Sequence, residues 1–384
     1  MLKRIQIGSY KCIRNADVQV DSFNMLIGNH NSGKSSFLDA LCFLKDILIY
    51  DVERAVRKRA ECLRELIWRN DEDRQIEIAL EAQHPESPRL HLRYEVAIGL
   101  DRQGAIGIHA ENLFVLNHPP SASKAIVHTA PAATHRTRHV IRRSLGQIAL
   151  YQSERTRLSF SQRIPPLRLA LSTMPEDRDR FPMSLWLKQT IAERFHFIRP
   201  NIHRPCPPDA PRTLQDDAAN LPIVLQSIDP TRLRWWVAHL RVIFPELEDV
   251  RIIERMDDRA LYLAAIFRNG VVAPAWQLSD GMLRLFALTV LPYLPHKGEI
   301  FFIDSPENGI HPLAIEGMCQ SLRSIYDGQT FVVTYSPAVL STASPSELLI
   351  FSKAQDGSSQ IVRGTDSSIV LDDPSLIENY LYIS

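Results

Sequence analysis

The stretch "GNHNSGKSS", Gly28–Ser36, meets the spacing G-x-x-x-x-G-K-[ST] through Gly28, Gly33, Lys34 and Ser35. Before it lies "ADVQVDSFNMLIG", ending in the apolar run Met25–Ile27 of a buried strand. After it lies "SSFLDALCFLKDIL", with Phe37, Leu38, Leu41 and Leu44 at helical spacing. Strand, loop and helix in that order give the pattern a mechanism. Glycines let backbone N–H groups converge on phosphates, and Lys34 reaches the β- and γ-phosphates. Ser35 offers a hydroxyl to Mg2+, and the helix places its positive end under the anion. Nucleotide binding is the reading this segment supports.

Composition sets the surroundings. The chain has 384 residues, of which 45% are hydrophobic, enough to bury a core in one large composite domain or two ordinary ones. Lys+Arg and Asp+Glu stand at 44 each, so net charge argues for neither nucleic acid nor membrane. Five cysteines (Cys12, Cys42, Cys62, Cys206, Cys319) form no CxxC pair, which suits free thiols in a reducing compartment. "MLKRIQIGSYKC" lacks the apolar core of a signal peptide, and no apolar run approaches ~18 residues. A cytoplasmic protein with no membrane partner is expected.

Far along the chain, "WQLSDGMLRLFALTVLPYLPHKGEIFFIDSPENGIHP" puts "LSDG", Leu278–Gly281, ahead of a helical pattern, then an apolar strand ending at Asp304. Ser279 suits an N-cap, and the helix start suits an anion. Alone, such a serine is a cap and no more. In sequence order with the phosphate loop and a strand-end aspartate, it reads differently.

With these motifs in place, the chain resembles ABC-type ATPase heads of the OLD, RecF and SMC kind, in the short bacterial AAA form without a long coiled coil. The resemblance is carried by "GNHNSGKSS" as Walker A, "LSDGMLRL" as signature, "EIFFIDSPENGIHP" as Walker B with D-loop, and "FVVTYSPAVL" as switch region. A softer match is "FHFIRPNIHRP…LQDDAANLPIVLQSI", residues 195–228. The resemblance implies an α/β P-loop NTPase with a mixed central sheet, an antiparallel β layer and an inserted helical lobe. It implies ATP and Mg2+ as cofactors, with Gly28, Asn29, Asn31, Ser32, Gly33, Lys34, Ser35 and Ser36 around the phosphates. Ser35 and Asp304 would serve the metal, and Ser279 and Gly281 would approach the γ-phosphate of a second copy in a head-to-tail homodimer or higher oligomer.

Two residues depart from the family pattern. Ser305 stands where a glutamate would orient water, and Tyr335 where a histidine would contact the γ-phosphate. Serine cannot accept a proton at neutral pH, and a tyrosine hydroxyl is a donor. A positioned base is worth ~10²–10⁴-fold, so hydrolysis should be slow rather than absent. Glu307 either substitutes as the base or is the D-loop glutamate of the family, and His311 has a structural role in the same loop. The site set is therefore Asp304, Ser305, Glu307 and Tyr335 on the catalytic side.

Motif order divides the chain into an N-terminal ATPase lobe at 1–165, a helical lobe at 166–270 and a C-terminal ATPase lobe at 271–384. "DVERAVRKRAECLRELIWRN" reads as one charged helix with Val52, Val56, Leu63 and Leu66 on a stripe. "RQIEIALEAQ", "RLHLRYEVAIGL" and "AIGIHAENLFVL" alternate as strands. Trp235 and Trp236 suit a packed aromatic face in a helix, with base stacking as the alternative.

The Lys124–Arg168 segment is unusually basic. Lys124, Arg136, Arg138, Arg142, Arg143, Arg155, Arg157, Arg163 and Arg168 face Glu154 alone. DNA is one partner for such asymmetry; a solvated loop is the other reading. His135 and His139 have no cysteine or carboxylate close by in sequence to make a metal site. Because the sequence stops at "ENYLYIS", an OLD-type nuclease or a toxin would come from a separately encoded subunit. The expected function is ATP binding with slow hydrolysis in a DNA-related or anti-phage defence complex. The alternative is a non-catalytic, ATP-dependent scaffold that holds and releases an effector.

Overall fold

The alternation in "KRIQIGSYKC" becomes strand β1 (Leu2–Tyr10), and the following stretch divides into β2 (Ile13–Gln19) and β3 (Phe23–Gly28). The computed structural model describes residues 1–69, 75–117, 126–127, 137–144, 148–295 and 298–366. Helices α1 (Lys34–Ile49) and α2 (Val52–Arg57) follow, then strands β4 (Ile76–Gln83), β5 (His91–Leu100), β6 (Ile106–Leu116), β7 (Thr137–Ser144), β8 (Ile148–Gln152) and β9 (Ser159–Arg163). Next come α3 (Pro182–Glu193), β10 (Phe195–Ile198), α4 (Leu221–Gln226), α5 (Pro230–Ile243), β11 (Leu247–Glu254), β12 (Leu261–Phe267) and β13 (Val272–Pro274). The last described elements are α6 (Asp280–Thr289), β14 (Ile300–Asp304), α7 (Pro312–Arg323), β15 (Gln329–Val333), α8 (Pro337–Leu340), β16 (Leu348–Lys353) and β17 (Ser359–Arg363).

The chain forms two compact units. One holds Met1–Asp21, Ile27–Phe195 and the described residues from Pro345; the other holds Ser22–Leu26 and His196–Ser344. The chain passes between them within β3.

In the first unit, eight strands run in the order β2-β1-β4-β5-β6-β7-β8-β9, antiparallel throughout. The three strands expected from alternation are β4, β5 and β6. This layer buries charge as well as apolar surface. Arg93 lies between Glu81 and Glu95, 2.6 Å from each, and donates a further bond to the Gln6 side-chain oxygen Oε1 at 2.8 Å. Glu111 accepts from the Tyr94 hydroxyl and from the Ala170 and Leu171 amides. Burial raises its pKa against the pull of those donors. Buried charges persist only when paired or hydrogen-bonded in this way.

Two sequence expectations change here. The charged stretch after Asp51 is not one helix: α2 stops at Arg57, and a separate short 3₁₀ turn spans Leu63–Leu66. Between them Lys58 bonds Asp46, while Arg59 reaches both Asp39 and Asp46, so side-chain pairing to α1 decides the local backbone. Val52, Val56, Leu63 and Leu66 are nevertheless all buried. The basic segment is also redistributed by strand alternation. Lys124, His135 and Arg136 lie outside the described residues. Arg143 is 2% exposed and donates to the carbonyls of Arg168 and Pro165, while Arg138 donates to those of Ser153 and Glu154. Arg142, Arg155, Arg157, Arg163 and Arg168 are exposed. His139 stacks on Phe114, meets the Asn112 side-chain oxygen at 3.2 Å, and has its pKa lowered to about 4 by burial.

In the second unit, β14, β15 and β3 pair in parallel, with β10 beside β14. Ile300–Ile303 and all of β15 are buried, the near-continuous apolar run that two-sided burial demands. The register sets Asp304 against Val333 and Val333 against Leu26, so β14 and β15 end level and β3 runs two residues further, to Gly28. Trp236 is fully buried edge-on to Phe286 and donates to the Thr289 hydroxyl at 3.1 Å, whereas Trp235 is 60% exposed. The 166–270 span holds α3, α4 and α5 together with β10, β11 and β12, because "LEDVRIIE" and "LYLAAIF" pair as antiparallel strands. Among the described residues no helix is long and apolar enough to cross a membrane.

Candidate nucleotide-binding site

Gly28 ends β3 at φ +135°, and a Cβ there would lie 2.0 Å from the Phe351 carbonyl oxygen. Only glycine meets both constraints. The loop then turns through Asn31 at φ +60°, with the Ser32 amide donating to the Asn29 carbonyl. Gly33 is the N-cap of α1 and offers no side-chain hydrogen bond to the helix's first amides. Lys34 is 1% exposed, and its ammonium donates to the carbonyls of Gly28 (2.6 Å) and Asn29 (2.9 Å) and to the Ser32 hydroxyl (3.2 Å). The loop is thus closed around its own cation. Ser35 is exposed, and the Ser36 hydroxyl accepts from the Cys12 thiol. Phe37, Leu38, Leu41 and Leu44 are buried, which fixes α1 behind the loop.

The second unit carries the other candidates. Asp304 ends β14, and Ser305 follows in the left-handed region at φ +49°. That conformation costs a non-glycine residue ~1–2 kcal/mol, and Pro306 restricts Ser305 further. Three bonds hold it. Its amide donates to the Val333 carbonyl (2.8 Å), its hydroxyl donates to Asp304 Oδ1 (3.1 Å), and its carbonyl accepts from Arg284 Nη1 (3.1 Å).

Glu307 turns toward β15. Its Oε1 accepts from the Thr334 hydroxyl (2.8 Å) and the Tyr335 amide (3.3 Å), while Oε2 is buried with no hydrogen-bond partner. Tyr335 has its hydroxyl pKa raised by burial and by the Asp304 and Glu307 charges. The structure therefore groups Asp304, Ser305, Glu307 and Tyr335. His311 caps α7, its Nδ1 accepting from the Leu313 amide at 3.3 Å.

Ser279 is exposed and caps α6 by accepting from the Met282 amide at 3.3 Å. Gly281 is buried, and a Cβ on it would sit 1.9 Å from the Gly309 carbonyl oxygen. The start of α6 and the loop after β14 therefore meet backbone to backbone. Arg284 was not singled out by the motifs. Its signal was a lone cation within the apolar run "MLRLFALTV".

The donor chemistry fits magnesium brought in with a nucleotide. Among the described residues no cluster of three or more His, Cys, Asp or Glu is gathered for a metal. Mg2+ is commonly held by one or two protein oxygens together with phosphates and water. Ser35 at the start of α1 carries a hydroxyl and Asp304 at the end of β14 a carboxylate, each an oxygen of the type that magnesium takes.

A strand, a glycine-rich loop and a helix N-terminus, with a buried lysine in the loop, define a P-loop ATPase domain. Residues 135–341 match the family model described as "AAA domain, putative AbiEii toxin, Type IV TA system", and residues 1–127 match that of an "AAA ATPase domain". The chain belongs to this AAA ATPase-domain family. Its fold is that of an SMC head. It is similar to an Smc head crystallised with the C-terminal winged-helix domain of ScpA, at 12% identity and TM-score 0.55, covering 94% of this chain and 97% of that one. A second similar structure is an Smc head with an extended coiled coil, bound to the C-terminal domain of ScpA from Pyrococcus furiosus. There identity is 10% and the TM-score 0.52, with 94% and 95% of the two chains covered. No curated protein matches the chain.

Proposed function

We propose that this ATPase domain binds ATP with Mg2+ tightly, hydrolyses it slowly, and uses the bound nucleotide to pair two copies head to tail. Ser305 carries the reading: a hydroxyl pointing at Asp304 occupies the position after the strand-end aspartate. Lys34 turns from its loop oxygens to the β- and γ-phosphates, and the N-terminal amides of α1 receive the same anion. Ser35 and Asp304 would each offer an oxygen to Mg2+, which when bound would offset phosphate charge. Ser279, exposed at the start of α6, faces the γ-phosphate bound to the second copy, with Gly281 beside it.

Slow turnover suits a timer. The family resemblance supports a DNA-related or anti-phage defence complex in the cytoplasm. The Smc heads of similar fold, which are bound to ScpA domains, support a protein partner as a class, here a separately encoded nuclease or toxin. The second reading, a non-catalytic scaffold that holds and releases such an effector, is favoured by Glu307, whose bonded oxygen is occupied by Thr334 and Tyr335.

Phosphate release measured with and without DNA separates the two readings. Slow but DNA-responsive release supports the ATPase; none above the Lys34→Ala background supports the scaffold. Light scattering tests pairing. Mass should double with ATP and Mg2+, and Ser279→Arg should prevent this; an unchanged mass in both proteins would sink the sandwich.

A further inference from the structure

The signature helix and the strand-end loop are joined at a point that the motifs do not mark. Arg284 lies one turn into α6, and its Nη1 donates to the carbonyl of Ser305 at 3.1 Å across 21 residues of sequence. Ser305 is a residue whose backbone needs holding. It is left-handed at φ +49°, it is not glycine, and it precedes a proline. Its amide is already fixed by Val333 and its hydroxyl by Asp304, so the carbonyl is the remaining lever on that peptide. A charged donor makes the strongest bond available to a neutral carbonyl.

We infer that Arg284 is a positioning residue for the ATPase reaction. By holding the Ser305 carbonyl it sets the Ser305 peptide in its left-handed turn and so fixes where the residue after Asp304 points. The helix that carries Arg284 begins at Ser279 and Gly281, and Gly281 packs on the Gly309 carbonyl, so the helix meets the loop twice. Movement of the α6 start is thereby delivered to the Ser305 peptide. This rests on the proposed reading of Ser305 beside the reacting phosphate. In a head-to-tail pair the link would run from the signature end of a copy, which serves its partner's nucleotide, to that copy's own strand-end loop. Strained backbone persists at a functional site only when its surroundings over-determine it.

The test uses the full chain and four variants: Arg284→Met, which keeps the apolar stem and removes the donors; Arg284→Lys; Ser305→Gly; and the Met/Gly double. Crystal structures of wild type and Arg284→Met give the φ of residue 305 directly, and phosphate release and calorimetry give kcat and ATP affinity. The expected result is that residue 305 leaves the left-handed region in Arg284→Met. Its kcat should fall ~10-fold or more while ATP Kd stays within ~2-fold, and Arg284→Lys should recover most of the loss. In the Ser305→Gly background the same Arg284→Met change should cost much less, because glycine needs no help to adopt positive φ.

An unmoved residue 305 in Arg284→Met overturns the inference whatever the turnover. So does an equal kcat loss in the serine and glycine backgrounds. Absence of phosphate release in wild type would instead defeat the hydrolysis reading, and the crystallographic comparison would still decide the role of Arg284.

Discussion

The phosphate loop and the end of β14 are built on opposite terms. The loop keeps every residue its pattern requires, and its specificity rests on backbone: Gly28 against the Phe351 carbonyl, Asn31 turned left-handed, Lys34 folded onto loop oxygens. The strand end keeps its aspartate but presents a serine next, in a conformation that must be held by Val333, Asp304 and Arg284. Binding a phosphate needs converging amides and one cation, whereas cleaving it needs a particular side chain at a particular atom. The proposed function puts the first in the loop and the second at the strand end, so the two can be tested separately.

The largest expected effect lies in the loop. Lys34→Ala removes the ammonium proposed to meet the phosphates, and ATP binding should fall below detection in calorimetry. Because Lys34 also ties three loop oxygens, the melting temperature of the variant should be measured beside it. Wild-type affinity with an intact fold would break the comparison at its stronger end.

Next is the strand end. Ser305→Glu supplies the carboxylate that the family resemblance implies at this position, and turnover should rise, with ~10²–10⁴-fold as the ceiling. Glutamate pays a similar left-handed cost to serine, so Arg284 and Val333 remain necessary. Tyr335→His added to it should raise turnover further if both groups act on the same phosphate. No gain in either, with binding intact, would point to Glu307, whose second oxygen is buried without a partner, as the group to remove next.

The smallest effect concerns the first unit's basic side chains, which neither region requires. Reversing charge at Arg142, Arg155, Arg157 and Arg163 should weaken DNA binding and flatten its dependence on salt, each lost phosphate contact releasing about one fewer counterion. Arg143, buried on carbonyl oxygens, belongs in a stability experiment instead. Its reversal should unfold the layer rather than report on DNA. An unchanged salt slope in the exposed quartet would leave these arginines as solvated surface.

Sequence alone determined the parts that depend on near neighbours. Loop spacing, helical spacing behind it, alternation in β4 to β6 and the apolar run into Asp304 each reflect the period of one element and the chemistry of adjacent residues. The serine after Asp304 and the tyrosine at 335 are legible for the same reason. Tertiary structure decided what depends on residues far apart in the chain. It set Ser305 left-handed, gave its carbonyl to Arg284, turned Glu307 toward Thr334, and placed Gly281 on Gly309. It sorted Arg142 outward and Arg143 inward, broke the charged helix after Arg57 through Asp39 and Asp46, and separated Trp235 from Trp236. Periodicity records which face of an element is buried; it does not record which distant donor will meet a given carbonyl there, because that is fixed only when the elements pack.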